Sequence, residues 1–416
     1  MKIAAYLTDT RRARWCALAM ATLASACATG SPVQVDEYHW KNVDRVVAFG
    51  DLHGDYDQYL EALRSAGLID RRDRWAGGQT HLVQTGDVPD RGPDSRRIIE
   101  HLKELKEQAE KDGGQVHTLI GNHEAMNSYG DLRYVHPGEY EAFRTRNSKE
   151  LRERQWQFSL RQLEQSRPEE FAQMDLEAYR EEWEKQVPLG WVELRLNWEP
   201  RGPLGQWVLS NPVAVQINDT IFVHGGLSPE YCHLDLAELT RRAHAELRDY
   251  DPETPGVIDD ENGPLWFRGL ATANETSFAP VLEQILARYG AQRIVVGHTP
   301  TGGVVWPRFD GRVVVNDVGM GAYYGSNDGF LLIEDGKAYA VYGDHRLPLP
   351  TDEAGRLSYL EAVVALKPDN EDLVRRLEQL RNPPEPEATA QTEAPEGDPD
   401  SEDPVDASPV SHGICQ

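Results

Sequence analysis

An α/β domain is what this 416-residue sequence predicts, on three observations. Short β-branched runs alternate with helix-like amphipathic stretches. Three of those runs empty into glycine-led loops carrying carboxylates, imidazoles and amides, and two later ones each put a histidine just past a strand. A hydrophobic fraction of 39% over this length is also enough to bury a large core.

The elements follow in order. Val46–Phe49 reads as a buried strand running into Gly50-Asp51-Leu52-His53-Gly54, and Tyr59, Leu60, Leu63 and Leu68 then mark an amphipathic helix. A second strand, His81 to Gln84, leads into Gly86-Asp87-Val88-Pro89-Asp90-Arg91-Gly92 and a helix from Ser95 to Lys111. A third, Val116 to Ile120, ends in Gly121-Asn122-His123-Glu124. Ile221–Val223 leads to His224-Gly225-Gly226, and Ile294–Val296 to Gly297-His298-Thr299-Pro300. Loops at strand C-termini are where α/β folds assemble their sites.

The two ends are of another kind. Arg11, Arg12 and Arg14 precede an apolar stretch from Trp15 to Ala26 that is too short to span a bilayer, so residues 1–26 read as a signal peptide. Leu23-Ala24-Ser25-Ala26-Cys27 is lipoprotein-like. The expectation is an exported protein, periplasmic or anchored to the outer membrane through a lipid on Cys27, with residues 27–43 as a tether. From Pro383 to Gln416 the chain has nine acids and no Lys or Arg, a flexible acidic tail by composition. Cys16 would leave with the signal and Cys415 lies in the tail. Cys232 is then expected to be a small buried hydrophobe, and no disulfide framework is expected from four cysteines.

Charge narrows the function. With 43 Lys and Arg against 69 Asp and Glu, the formal net charge is −26, the wrong sign for a phosphate-backbone binder, so nucleic acid is excluded as a partner. No CxxC pair exists to hold zinc by thiolates. Any metal must be held by His, Asp, Asn or Glu. Each strand-end motif taken singly is more often a turn or a hydrogen-bonded structural group. The ordered set of Asp-x-His, Asp, Asn-His, His and His supplies hard oxygen and borderline nitrogen ligands for two divalent cations, with one carboxylate able to bridge them.

These residues resemble the calcineurin-like metallophosphoesterases of the phosphoprotein phosphatase superfamily, whose GDxHG, GDxxDRG, GNHE, HGG and late GH motifs stand here in that order. Gly202-Pro203, the run from Phe222 to Pro229, Gly263-Pro264-Leu265-Trp266-Phe267-Arg268 and Gly297–Pro300 are most similar to the Shewanella-like protein phosphatases. The likeness covers about residues 44–125 and 202–343. Two departures stand out: the eukaryotic-type loop with its active-site tyrosine is absent, and Asn316-Asp317-Val318-Gly319 replaces an aliphatic-Asp-Ser/Thr-Gly stretch.

The resemblance implies a four-layer α/β/β/α sandwich over 44–125 and 202–350 with a helical cap inserted at 126–201, while leucine spacing predicts C-terminal helices over 351–382 and composition predicts flexible termini. It implies that Asp51, His53 and Asp87 bind one metal and Asp87, Asn122, His224 and His298 the other, Asp87 bridging, with Mn, Fe, Zn or Co all admissible. A water shared by two dications is acidic enough to attack phosphorus directly. Arg91 and Arg268 match the family's phosphate-binding positions, and Arg201 is a weaker third. Because a serine or threonine alkoxide leaves poorly, a general acid is needed; His123 fits, with Asp90 holding its tautomer. Glu124 reads as structural.

In the insertion, Tyr140, Phe143, Trp156, Phe158, Leu163, Phe171, Tyr179 and Trp183 are spaced as an amphipathic helical hairpin, and the same segment leaves the metal loop closely enough to serve as a lid. The expected activity is phosphomonoester hydrolysis on a phosphoprotein (Ser/Thr or Tyr) or a small phosphomonoester. The alternatives are a nucleotide or diadenosine-polyphosphate hydrolase of the same superfamily and a non-catalytic exported binding protein. The sequence leaves the oligomeric state open.

Overall fold

The computed structural model describes residues 38–382 and Cys415. The signal peptide, Cys27, most of the tether and the acidic tail apart from Cys415 lie outside the described residues.

In chain order the first half holds β1 (His39–Trp40), β2 (Arg45–Phe49), α1 (Tyr56–Ser65), β3 (His81–Gln84), α2 (Ser95–Asp112) and β4 (Gln115–Thr118). Then come α3 (Asn122–Tyr129), α4 (Pro137–Phe143), α5 (Ser148–Ser166), α6 (Pro168–Phe171), α7 (Leu176–Gln186), α8 (Trp191–Trp198) and α9 (Pro203–Val208). The second half holds β5 (Ala214–Ile217), β6 (Thr220–Val223), α10 (Leu236–Arg248), α11 (Gly269–Thr272), α12 (Glu275–Tyr289), β7 (Arg293–Val296), β8 (Trp306–Arg308) and β9 (Val313–Val315). It closes with β10 (Phe330–Glu334), β11 (Lys337–Tyr342), β12 (His345–Pro348), α13 (Glu353–Leu366) and α14 (Glu371–Arg381).

The strands form two six-stranded sheets, β12-β11-β10-β2-β3-β4 and β1-β5-β6-β7-β9-β8. At the heart of the first, β2, β3 and β4 run parallel, with Val46, Val47, Ala48 and Phe49 facing His81, Leu82, Val83 and Gln84. At the heart of the second, β6, β7 and β9 run parallel. These strands are buried along nearly their whole length, which is why they read as continuous apolar runs rather than alternating ones. Ile98, Ile99, Leu102 and Leu105 of α2, Leu239 and Ala243 of α10, and Leu282 and Ile285 of α12 join one contiguous core with both sheets.

Local chemistry sets the helix starts. Asp55, Asp235 and Asn274 each accept a backbone N–H at the first turns of α1, α10 and α12. Six parallel strands, three from each sheet, therefore discharge their C-terminal loops toward one edge, and the site lies there.

The inserted segment differs from a single self-contained hairpin. Trp156 and Trp183 pack at 5.1 Å between ring centres and form, with Val187, a small separate core across α5 and α7. Phe143 belongs to the main core instead, and Phe158 is half exposed. A helical period tells which face is apolar, not which core that face joins.

The cysteine reading needs correction. Cys232, buried as expected, is bonded to Cys415 across a sequence separation of 183. Composition argued that the acidic tail cannot order itself by burial. A covalent bridge does not need that burial, and a pairing this remote leaves no spacing to read.

Candidate metal and phosphate site

Each strand end contributes one piece. The loop after β2 carries Asp51 and His53, that after β3 carries Asp87, Asp90 and Arg91, and the start of α3 after β4 carries Asn122 and His123. From the other sheet, β6 leads to His224, β7 to His298 and β9 to Asp317. Asp51, His53, Asp87, Asn122, His123, His298, Arg268, Asp317, Trp266 and Tyr324 line one cavity. His53, Asp87, Asp90, Arg91 and His298 all take positive φ angles that non-glycine residues rarely adopt. Strained backbone concentrated in this way is typical of functional loops.

The sheets approach closely here. A Cβ on Gly86, itself at φ +104°, would sit 2.7 Å from the Gly121 nitrogen and 2.8 Å from His224 Nδ1, so only glycine lets these loops meet. Glu124 then ties them: its carboxylate accepts N–H groups of Asp87 (2.9 Å), Val88 (2.8 Å) and Gly121 (2.8 Å). It is a positioning residue for Asp87.

Hydrogen bonding fixes which nitrogens face inward. His224 Nδ1 lies 2.9 Å from the Thr85 carbonyl and must donate to it, leaving a lone pair on Nε2. Asn122 turns its Nδ2 toward Met126 Sδ, leaving Oδ1 as an acceptor. Yet His224 Nε2 is 2.8 Å from Asn122 Oδ1 and 3.3 Å from Asp87 Oδ2. Three electron-pair donors thus converge, an arrangement that a cation satisfies. His298 Nε2 is buried and has no hydrogen-bond partner among the described residues, as a ligand nitrogen would. His53 Nδ1 donates to the Pro89 carbonyl (3.2 Å), turning its Nε2 to within 4.0 Å of Asp87 Oδ2.

Ligand atoms of Asp87, His224 and His298 lie within 4.8 Å of one another, and so do those of His53, Asp87 and His123. Asp87 is common to both groups. Asp51 is adjacent rather than inside either group, its carboxylate accepting the His298 N–H at 3.0 and 3.2 Å. Burial holds the His53 imidazole down to about 3 and His298 well below its usual range, so both are neutral and able to ligate.

His123 Nδ1 meets Asp90 Oδ2 at 2.6 Å, and Asn127 Nδ2 donates to both Asp90 oxygens at 3.0 Å. In the sequence, the one signal for Asn127 is its place one helical turn beyond His123. Arg268 Nη1 donates to the His298 carbonyl (2.7 Å), which holds its guanidinium at the cavity. Arg91 is clamped between the rings of Tyr134 and Tyr323, at 4.1 and 4.4 Å. Tyr324 stands 5.2 Å from the His53 ring. These tyrosines come from distant loops and no motif announces them. Neither Arg91 nor the exposed Arg201 is among the residues that line the cavity.

Comparison with known proteins agrees with this geometry. The calcineurin-like phosphoesterase family profile matches residues 44–302. An uncharacterised protein of Schizosaccharomyces pombe is 32% identical over 310 residues, covering 71% of this chain and 80% of that one. Shewanella-like protein phosphatase 2 of Arabidopsis thaliana is 30% identical over 293 residues, covering 69% and 74%. Among solved structures, the cold-active protein-tyrosine phosphatase of a psychrophilic Shewanella species superposes with a TM-score of 0.58 at 27% identity, over 75% of this chain and 82% of its own.

Proposed function

The chain belongs to the calcineurin-like phosphoesterase family, a metal-dependent phosphoric ester hydrolase with Shewanella-like protein phosphatase relatives, and from that membership we propose that it is a dinuclear-metal protein phosphatase, and from its N-terminal segment that it is exported. The observation that carries the reading is the convergence of His224 Nε2, Asn122 Oδ1 and Asp87 Oδ2, with Asp87 shared by a second cluster. Asp51, His53 and Asp87 would hold one divalent ion and Asp87, Asn122, His224 and His298 the other. When bound, the pair supplies an activated water and neutralises phosphoryl charge.

The chain's own residues do the rest. Arg268, which lines the cavity, gathers the phosphoryl oxygens, and Arg91, held between Tyr134 and Tyr323 outside that lining, is the second family cation that would assist it. His123, oriented through Asp90 and Asn127, delivers a proton to the leaving oxygen, and water attacks phosphorus directly without a phosphoenzyme. The activity of the Shewanella neighbour favours phosphotyrosine over phosphoserine and phosphothreonine. A panel of phosphotyrosine, phosphoserine and phosphothreonine peptides and nucleotides with Mn²⁺-loaded protein tests this. Phosphotyrosine peptides should be preferred, and a preference for nucleotides would replace the reading.

The Cys232–Cys415 bond supports export, because such bonds persist in oxidising compartments. Fractionation should find the full chain in membranes and Cys27→Ser soluble in the periplasm. A native chain free in the cytosol would overturn both export and the anchor.

A further inference from the structure

The stretch Asn316-Asp317-Val318-Gly319 has no part in the chemistry so far, yet its place in the fold is that of a ligand loop. β9 is the parallel neighbour of β7 as β7 is of β6, so Asp317 leaves its strand at the same edge as His298 and His224. A Cβ on Gly50 would lie 2.8 Å from the Asp317 Cα, which brings this backbone directly against the residue before Asp51. The side chain is 1% exposed and lines the cavity. Its Oδ1 accepts the Gly319 N–H at 2.9 Å, and its carbonyl accepts from Thr301 N and Oγ1 at 2.9 and 2.8 Å. Among the described residues its Oδ2, which is buried, has no hydrogen-bond partner.

A buried carboxylate oxygen without a partner is costly unless something cationic or protic meets it. Asp51, Asp87 and Asp317 are three carboxylates around this one cavity, where Arg268 is the single basic side chain among the lining Lys and Arg positions. We propose that Asp317 is a further acceptor of the metal centre, its Oδ2 engaging the ion on the Asp51 and His53 side, directly or through a water that the ion holds. Asp317 thereby completes the oxygen-rich half of a centre whose other half is rich in imidazole.

The inference deepens the metal reading and rests on it. Asp317→Asn keeps the Oδ1 acceptor for Gly319 and removes the charge. Mn²⁺ binding to the full chain by titration calorimetry, with thermal unfolding of the metal-free and loaded proteins, gives readouts independent of turnover. One of two Mn²⁺ sites should weaken by about 10- to 100-fold. The metal-free variant should melt no lower than the native protein, since a like charge has left the cavity, and its gain on loading should shrink. Unchanged Mn²⁺ affinities at both sites, or a lower metal-free melting point with unchanged affinities, would overturn the proposal and leave the metal reading standing. A native chain that takes up no Mn²⁺ would sink both.

Discussion

Replacing His123 by Asn separates proton donation from every other task at the site. The substitution leaves the backbone N–H of residue 123 to donate to Asp87 Oδ1, so the loop keeps its anchor, while the ring held at 2.6 Å by Asp90 is lost. Burial alone would lower this imidazole, but Asp87 and Asp90 outweigh it and raise it to about 9, in favour of the protonated form. A positioned general acid contributes about 10²- to 10⁴-fold, or roughly 3–5 kcal/mol of barrier. That contribution matters in proportion to how badly the leaving group needs the proton. Alkyl phosphates should therefore lose about 10²- to 10⁴-fold in kcat/KM, and nitrophenyl phosphate less than about tenfold. The assay is a series of aryl and alkyl phosphates of graded leaving-group acidity, with kcat/KM plotted against that acidity. The native enzyme should give a shallow line and His123→Asn a steep one, with Asp90→Asn between them. Parallel lines would refute the reasoning and make His123 a positioning group.

Two predictions concern stability. Glu139 fastens α4 to the start of α2 by accepting the Ser95 N–H at 2.7 Å, and burial, aided by the charges of Asp90 and Asp94, lifts its carboxyl to about 7 against the Ser95 hydrogen bonds. A raised folded value means stability that is full below the unfolded pKa near 4.5 and is lost as pH rises through about 7, an effect of about 3 kcal/mol by pH 8. Glu139→Gln should flatten that part of the melting-temperature profile, and parallel profiles for the two proteins would contradict it. The bond from Cys232 to Cys415 closes a separation of 183 residues, worth about 5 kcal/mol on the chain-entropy account. Reductant should lower the urea midpoint of the native protein and leave Cys415→Ser unaffected, whereas an insensitive native protein would show the bond to be energetically idle.

What the sequence made legible was local. The strand read at His81 to Gln84 is β3 without change, and Val46–Phe49 differs from β2 by one residue, because each is an unbroken buried run stopped by a glycine or a small polar residue. The helix read from Ser95 to Lys111 ends one residue later, where Gly113 takes the left-handed cap. The ordered motifs placed the six candidate ligands at one edge for the same reason. Pairing was not legible: β10 lies beside β2 with Leu332 opposite Val47, a contact no window of sequence contains. Nor was the clamp on Arg91, whose two tyrosines come from loops that only the folded chain brings together. Asp317 stands in the sequence within a departing motif, and only the pairing of β9 with β7 sets it at the cavity.

The account turns on Asp87 as the shared ligand, and metal stoichiometry in Asp87→Asn tests it most directly. Asn keeps the shape and the acceptor for the His123 N–H but removes the charge that lies within 4.0 Å of His53, His123 and His224 nitrogens. The native protein should hold two Mn²⁺ per chain; Asp87→Asn should lose dinuclear binding and phosphatase turnover together while keeping its native circular dichroism. Two equivalents retained with near-native activity would contradict the account at its centre.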